Sequence, residues 1–173
     1  LIVGYLVKNG FSFTQNAEEA DFIIVNTCGF IESAKEEAIN TILEMAEYKK
    51  GRCKYLIAMG CLVERYKEEL EKSLPEVDLF IKFSEYNKIG EMIDKLVIGK
   101  IESEEQDYNR LENYIERVVT TGSKTAYLKI AEGCSNRCTY CAIPAIRGPF
   151  ESRKIEDVLE EAEQLAKKGV KEL

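Results

Sequence analysis

"FIIVNTCGFIESAKEEAINTILEMAEY", residues 22 to 48, is the stretch from which the fold class is read. Phe22 to Asn26 is a continuous apolar run without alternation, the pattern of a strand buried on both faces. The run breaks at Thr27-Cys28-Gly29. From Ile31 to about Tyr48, the residues Ile31, Ala34, Ala38, Ile39, Ile42, Met45 and Ala46 recur three and four apart with Glu and Lys between them. That spacing predicts an amphipathic helix. A buried strand leading directly into such a helix is half of a parallel-sheet unit.

The same succession repeats downstream. Tyr55 to Met59 reads as a second strand that stops at Gly60-Cys61, and a helix follows through "VERYKEELEKS" until Pro75 breaks the pattern. Next come a strand in "VDLFIKF" and a helix in "EYNKIGEMIDKLV". This order predicts a small doubly wound α/β domain with a parallel sheet over residues 1–98. Upstream, "LIVGYLVKNG" reads as a helix closed by Asn9-Gly10, with a short strand at Phe11 to Phe13. A parallel sheet whose first visible element is a helix should have a strand before it, so the first strand is expected upstream of Leu1.

Residues 99–122 are charged and weakly patterned, as an interdomain linker would be. A second unit is expected over residues 123–173. It comprises a strand from Ala126 to Gly133, a cysteine-bearing loop, and a helix in "SRKIEDVLEEAEQLAKKG" with Ser152 as N-cap and Gly169 just past its end. The core face of that helix would be Ile155, Val158, Leu159, Ala162, Leu165 and Ala166. "VKEL" then reads as the start of the next strand.

Composition narrows the chemistry. The apolar content of 45% suffices for a real core, and no run approaches the length of a membrane span. With no histidine, mixed Cys/His zinc sites and histidine general bases are excluded. The net charge of −7 argues against nucleic acid binding by this stretch and suits a basic protein partner. Six cysteines without a basic and apolar leader point to metal or redox chemistry in the cytoplasm rather than to a disulfide framework.

Half of those cysteines fall in "GCSNRCTYCAIPAIRG", residues 133 to 148. Cys134, Cys138 and Cys141 form a CxxxCxxC pattern between a predicted strand and a predicted helix. Three thiolates from one loop can hold a four-iron cluster with one iron left open, whereas a structural zinc site wants a fourth Cys or His. Zinc binding and a non-catalytic cluster scaffold remain the alternatives. Cys28 and Cys61 each follow a predicted parallel strand, so their loops face the same way and two thiols can converge. Cys53 precedes a strand, at the wrong end of the sheet, and is read as a bystander.

Residues 126 to 173 resemble the first strand, cluster loop and first helix of the radical S-adenosylmethionine superfamily, whose fold is a (β/α) partial barrel. "VNTCGFIESAKEEAI" and "MGCLVERY" resemble two cysteine motifs of its methylthiotransferase family. The resemblance implies two [4Fe-4S] clusters. One would sit on Cys134, Cys138 and Cys141, and an auxiliary one on Cys28, Cys61 and a cysteine upstream of this chain.

S-adenosylmethionine would chelate the open iron, with Tyr140 near its adenine; ordinary loop packing is the other reading of Tyr140. Arg147 and Gly148 are candidate cofactor contacts, since a glycine admits close approach and an arginine pairs with a carboxylate; Arg147 or Arg153 could equally fix the loop to the next helix. Glu151 stands where the family often has a basic residue. No side chain is expected to be catalytic in its own right, because the chemistry is borne by cofactors.

Within that family, "NTCGFIESAKEE" and "CTYCAIPAIRG" resemble the branch that modifies a ribosomal protein more than the tRNA branch, with its "NTCxVRExA" and "CTFCVVPYTRG" patterns. The implied reaction adds a methylthio group to the β-carbon of an aspartate in protein twelve of the small ribosomal subunit. An external electron donor would reduce the first cluster, a 5′-deoxyadenosyl radical would abstract hydrogen, and the auxiliary cluster would deliver sulfur. Without the rest of the barrel, the chain by itself is expected to be inactive.

Overall fold

The computed structural model describes residues 2–8, 10–98 and 124–173. The expected linker at 99–122 lies outside them. Two compact units emerge: Phe13–Tyr108, and Leu1–Ser12 together with Asn109–Leu173.

In the first unit, three parallel strands lie in the order β1 (Phe22–Thr27), β2 (Tyr55–Gly60), β3 (Leu79–Ile81). The β1–β2 ladder runs from Phe22 opposite Tyr55 to Thr27 opposite Gly60. The helices α2 (Glu32–Glu47), α3 (Cys61–Ser73) and α4 (Ile89–Ile98) follow the three strands in turn. The chain is therefore α/β with a parallel sheet. Val25 from β1, Leu56 and Ala58 from β2, and Phe80 from β3 share one face and form a core with Ala38 and Ile42 of α2 and Leu62, Val63 and Leu70 of α3. Ile57, Met59 and Ile81, of opposite parity, are also fully buried, so the central strand is covered on both faces.

Elements with strong local signals appear where the sequence places them, and weaker ones shrink. The strand in "VDLFIKF" is confined to Leu79–Ile81, and a 3-10 helix, Phe83–Lys88, precedes α4. Phe11 to Phe13 form no strand; among the described residues they have no ladder partner. Before them, α1 spans Ile2–Lys8 in the other unit.

The second unit departs further from expectation. Instead of one strand from Ala126 to Gly133, a two-residue strand β4 (Ala131–Glu132) pairs antiparallel with β5 (Glu151–Ser152). Just before the expected strand, Thr125 makes an isolated parallel bridge to Glu172, and Ala126 N–H donates to the Glu172 carbonyl at 3.0 Å. Ser152 is therefore committed to a ladder, and Lys154 caps the helix α6 (Ile155–Lys167) without a side-chain bond. Gly169 follows that helix in the left-handed region, at φ 93°, as expected.

The buried face of α6 also differs. Leu165 packs with Ala126 and Val170, but Ile155 and Leu159 are exposed and Glu161 is buried. Arg153 explains the last point: its Nη1 reaches a Glu161 carboxylate oxygen at 2.6 Å and the Lys129 carbonyl at 2.7 Å. A paired charge tolerates burial that a lone one would not.

Adjacent residues of α2 test this packing. Ile42 is fully buried and Leu43 is 43% exposed. Ile42→Ala should destabilise the protein by about 2–5 kcal/mol and Leu43→Ala by under about 1 kcal/mol in urea unfolding followed by circular dichroism. Equal losses would contradict the assignment of faces.

Candidate metal centres

The first pair of cysteines is positioned by the β1–β2 ladder. Cys28 and Cys61 each come directly after one member of the Thr27–Gly60 register pair, at the C-terminal ends of neighbouring strands. Thr27 Oγ1 donates to the Met59 carbonyl at 2.7 Å, in a buried bond that ties the two strand ends together. Gly60 has φ 110°, and a Cβ there would lie 2.5 Å from the Thr27 carbonyl oxygen. A Cβ on Gly29 would lie 2.8 Å from both the Cα and the N of Leu62. The two cysteine motifs thus meet backbone against backbone, an approach that only glycine permits.

Arg65, one turn into α3, donates from Nη1 to the Gly29 carbonyl at 3.0 Å and lies 5.0 Å from the centre of the Tyr66 ring. Lys35 of α2 lies 5.3 Å from the same ring. Tyr66 is itself the point where α3 kinks, with φ −131° and ψ 22°. Cys28 is exposed and Cys61 buried, and neither is in a disulfide. Cys53 is buried elsewhere, donating to the Tyr55 carbonyl at 3.4 Å, and burial pushes its thiol pKa up.

The second set lies in the loop between β4 and β5. Cys134 and Cys141 are half-buried and Cys138 is exposed, and again none is in a disulfide. Two local bonds shape the loop: Cys141 N–H to the Cys138 carbonyl at 3.1 Å, and Cys134 N–H to the Gly148 carbonyl at 3.1 Å. Arg137 occupies the left-handed region at φ 50°. Gly133, also left-handed, lets the backbone pass so close to Pro149 that a Cβ would collide with its carbonyl oxygen. A short helix α5 (Ile143–Arg147), anchored by buried Ile146, carries the chain out of the loop.

Tyr140 is 90% exposed at the loop tip. Arg147 Nη1 pairs with Glu132 Oε1 at 3.2 Å. Gly148 follows α5 with φ 76° and open space where a side chain would be. Glu151 is exposed within β5, opposite Glu132.

Among the described residues no three Cys, Asp or Glu side chains stand together as a ready-made ion site. The chemistry of the donors nonetheless fits a thiophilic group: three thiols on one loop, and two more just past the ends of paired strands, none of them in a disulfide. Glu132, Thr27, Gly29 and Arg65 were not singled out in the sequence. The glycines beside Cys28, Cys61 and Cys134 were the available signal, since a glycine next to a ligand residue marks close backbone approach.

Comparison with known proteins matches each part of this arrangement separately. Residues 1–82 match the family model described as "Uncharacterized protein family UPF0004", and residues 128–173 match that of the "Radical SAM superfamily". The radical SAM match thus falls on the part of the chain that carries Cys134, Cys138 and Cys141, and the other match on the part that carries Cys28 and Cys61.

Among its relatives is the "Ribosomal protein uS12 methylthiotransferase RimO" of Alkaliphilus oremlandii, 58% identical over 99% of this chain and 38% of the relative. Proteins of the same name from Acetivibrio thermocellus and Thermoanaerobacter sp. are 52% and 51% identical, with 100% and 99% of this chain covered and 40% of each relative. The chain therefore spans about two fifths of the length of these relatives. Among the described residues no helix is long and apolar enough to cross a membrane.

Two outcomes follow from this geometry. In metal-free protein, iodoacetamide should modify Cys28 and Cys138 first and Cys53 last, because the exposed thiolate is the reactive species; peptide mapping that finds Cys53 ahead of Cys138 would contradict the structure. Gly60→Ala should cost more than about 1 kcal/mol in stability through its backbone conformation alone, before the clash with Thr27 is counted. A neutral effect in urea unfolding would mean that the strand ends are not held as described.

Proposed function

We propose that the chain is part of a radical S-adenosylmethionine methylthiotransferase acting on ribosomal protein uS12, with the β-carbon of an aspartate as the modified position. The reading is carried by one observation: two separate sets of cysteines outside any disulfide, one at the ends of paired parallel strands and one in a three-thiol loop. A simple zinc or cluster-binding module would need only one such set. The identity to relatives of that name and the radical SAM match support the same reading.

Cys134, Cys138 and Cys141 would hold a [4Fe-4S] cluster whose open iron takes the amino and carboxylate groups of S-adenosylmethionine. When bound, that pair supplies a radical able to take hydrogen from a carbon that no side-chain base can deprotonate. The chain's own residues then have three tasks. Tyr140 would lie along the adenine, the open backbone at Gly148 would admit the cofactor closely, and Arg147, at the loop's far end, would stand near the cofactor carboxylate.

Cys28 and Cys61 would supply two ligands to an auxiliary [4Fe-4S] cluster, completed by a third thiolate from elsewhere in the whole protein, as the source of the transferred sulfur. An external reductant would supply electrons in the cytoplasm. The net charge of −7 suits a basic ribosomal protein as substrate. The present chain, spanning two fifths of its relatives, would not turn over alone.

The test uses the full-length protein, reconstituted with iron and sulfide under anaerobic conditions. Brown protein with two clusters is expected, and Ala at Cys134, Cys138 or Cys141 should remove one of them. Replacing Cys28 or Cys61 should remove the other. Incubation with S-adenosylmethionine, reductant and sulfide should add a methylthio group to uS12 in mass spectra. Colourless protein with one tight zinc would sink the metal reading, and modification of tRNA alone would sink the substrate.

A further inference from the structure

The base of the three-cysteine loop carries a charged cluster that the proposed chemistry leaves unexplained. Glu132, the last residue of β4, accepts from Gly133 N–H at 3.1 Å and from Arg147 Nη1 at 3.2 Å, both on Oε1. Its other oxygen pairs with Lys129. Gly133 directly precedes Cys134, and Arg147 ends α5 on the far side of the loop. One carboxylate therefore bridges the two ends of the segment that bears all three thiols.

Two neutral hydrogen bonds close the same base: Cys134 N–H meets the Gly148 carbonyl at 3.1 Å, and Phe150 N–H meets Ser135 Oγ at 3.0 Å. The Glu132 contacts differ from these in being charge-assisted. Its side chain is 23% exposed, so the ion pair is shielded from much of the solvent screening that weakens surface pairs. Burial and the neighbouring charges of Arg147 and Arg153 push the Lys129 pKa down.

A loop whose ends are free samples many separations of its three thiols, and each bound ligand must then offset a closure cost. Fixing the ends narrows that ensemble before any metal arrives.

We propose that Glu132 and Arg147 are positioning residues that form a clasp across the base of the loop, holding Cys134, Cys138 and Cys141 near enough to bind one cluster together. The proposal rests on the reading of this loop as a cluster site. It assigns the Arg147 guanidinium a task that operates before S-adenosylmethionine binds. Glu132, being in contact with Gly133 rather than with a ligand sulfur, acts through the backbone.

The experiment uses the full-length protein in which every cysteine except Cys134, Cys138 and Cys141 is replaced by Ala. Two quantities are read: the rate at which dibromobimane bridges a pair of thiols in metal-free protein, detected by fluorescence, and the rate at which a chelator strips iron after reconstitution. Glu132→Ala and Arg147→Ala should each slow bridging and speed iron loss by at least about fivefold, the factor to which the net worth of one hydrogen bond corresponds. The double variant should be no worse than either single one, because both remove the same contact.

Arg147→Lys should keep most of the effect through its charge, and Glu132→Gln should fall between parent and Ala. These two milder variants carry the test if circular dichroism finds either Ala variant unfolded. Parent-like rates in the Ala variants or in Glu132→Gln, or losses that add in the double variant, would overturn the clasp. A parent that bridges its thiols but binds no iron would sink the cluster reading, and the bridging rates would still decide whether the clasp exists.

Discussion

In a parallel ladder, neighbouring strands end on the same side of the sheet, so the residues that follow two register partners are neighbours wherever the chain goes next. The pairing of Thr27 with Gly60 puts this constraint to use. It brings Cys28 beside the start of α3, where Cys61 is the first helical residue. The apolar faces of β1 and β2 fix that register: a slip by one residue would turn Val25, Leu56 and Ala58 out of the core they share with α2 and α3. The thiols are thus located by hydrophobic packing well away from them. Gly29 and Gly60 only remove the steric obstacle to the final approach.

The loop of Cys134, Cys138 and Cys141 is organised on a different principle. No wide sheet stands beneath it in the described residues, only the two-residue ladder of β4 with β5 and the short helix α5. Its order comes from polar contacts, namely backbone bonds at Cys134 and Cys141 and the carboxylate of Glu132. Such contacts are each worth far less than a buried apolar side chain. A loop held in this way is easier to reshape than the strand ends that fix Cys28 and Cys61.

The elements legible in the sequence were those whose signal is local and redundant. Phe22 to Asn26 and Tyr55 to Met59 are apolar on both faces, so no choice of neighbour could expose them cheaply, and both became strands. The helix from Ile31 was equally plain. The expected strand from Ala126 to Gly133 reduced to two residues because strand pairing depends on partners, and there the available partner is Glu151–Ser152 rather than a long parallel neighbour. The face of α6 was misread for a related reason. Periodicity marked Ile155 and Leu159 as core, but packing selects among apolar residues by what lies opposite, and Arg153 drew Glu161 inward instead. The positions of Cys28, Cys61 and Cys134 were legible because each follows closely on a strand. Their supports, Glu132 and Arg65, lay hidden because a charged residue beside a motif looks like any solvated one.

The two arginines that flank the loop divide its support between them. Arg147 turns back to Glu132 and joins the loop's two ends, while Arg153 reaches Glu161 and the Lys129 carbonyl and joins β4 to α6. Lys129 meets both circuits, through its side chain on Glu132 and its carbonyl on Arg153. Side chains of Lys129, Arg147 and Arg153 outnumber the carboxylates of Glu132 and Glu161 within these two circuits, in a chain whose net charge is −7. With a cluster bound as proposed, a local surplus of cations at the foot of the three-cysteine loop would suit the negative charge that thiolate ligands bring. The same charges that hold the loop in shape would then also lower the electrostatic cost of filling it.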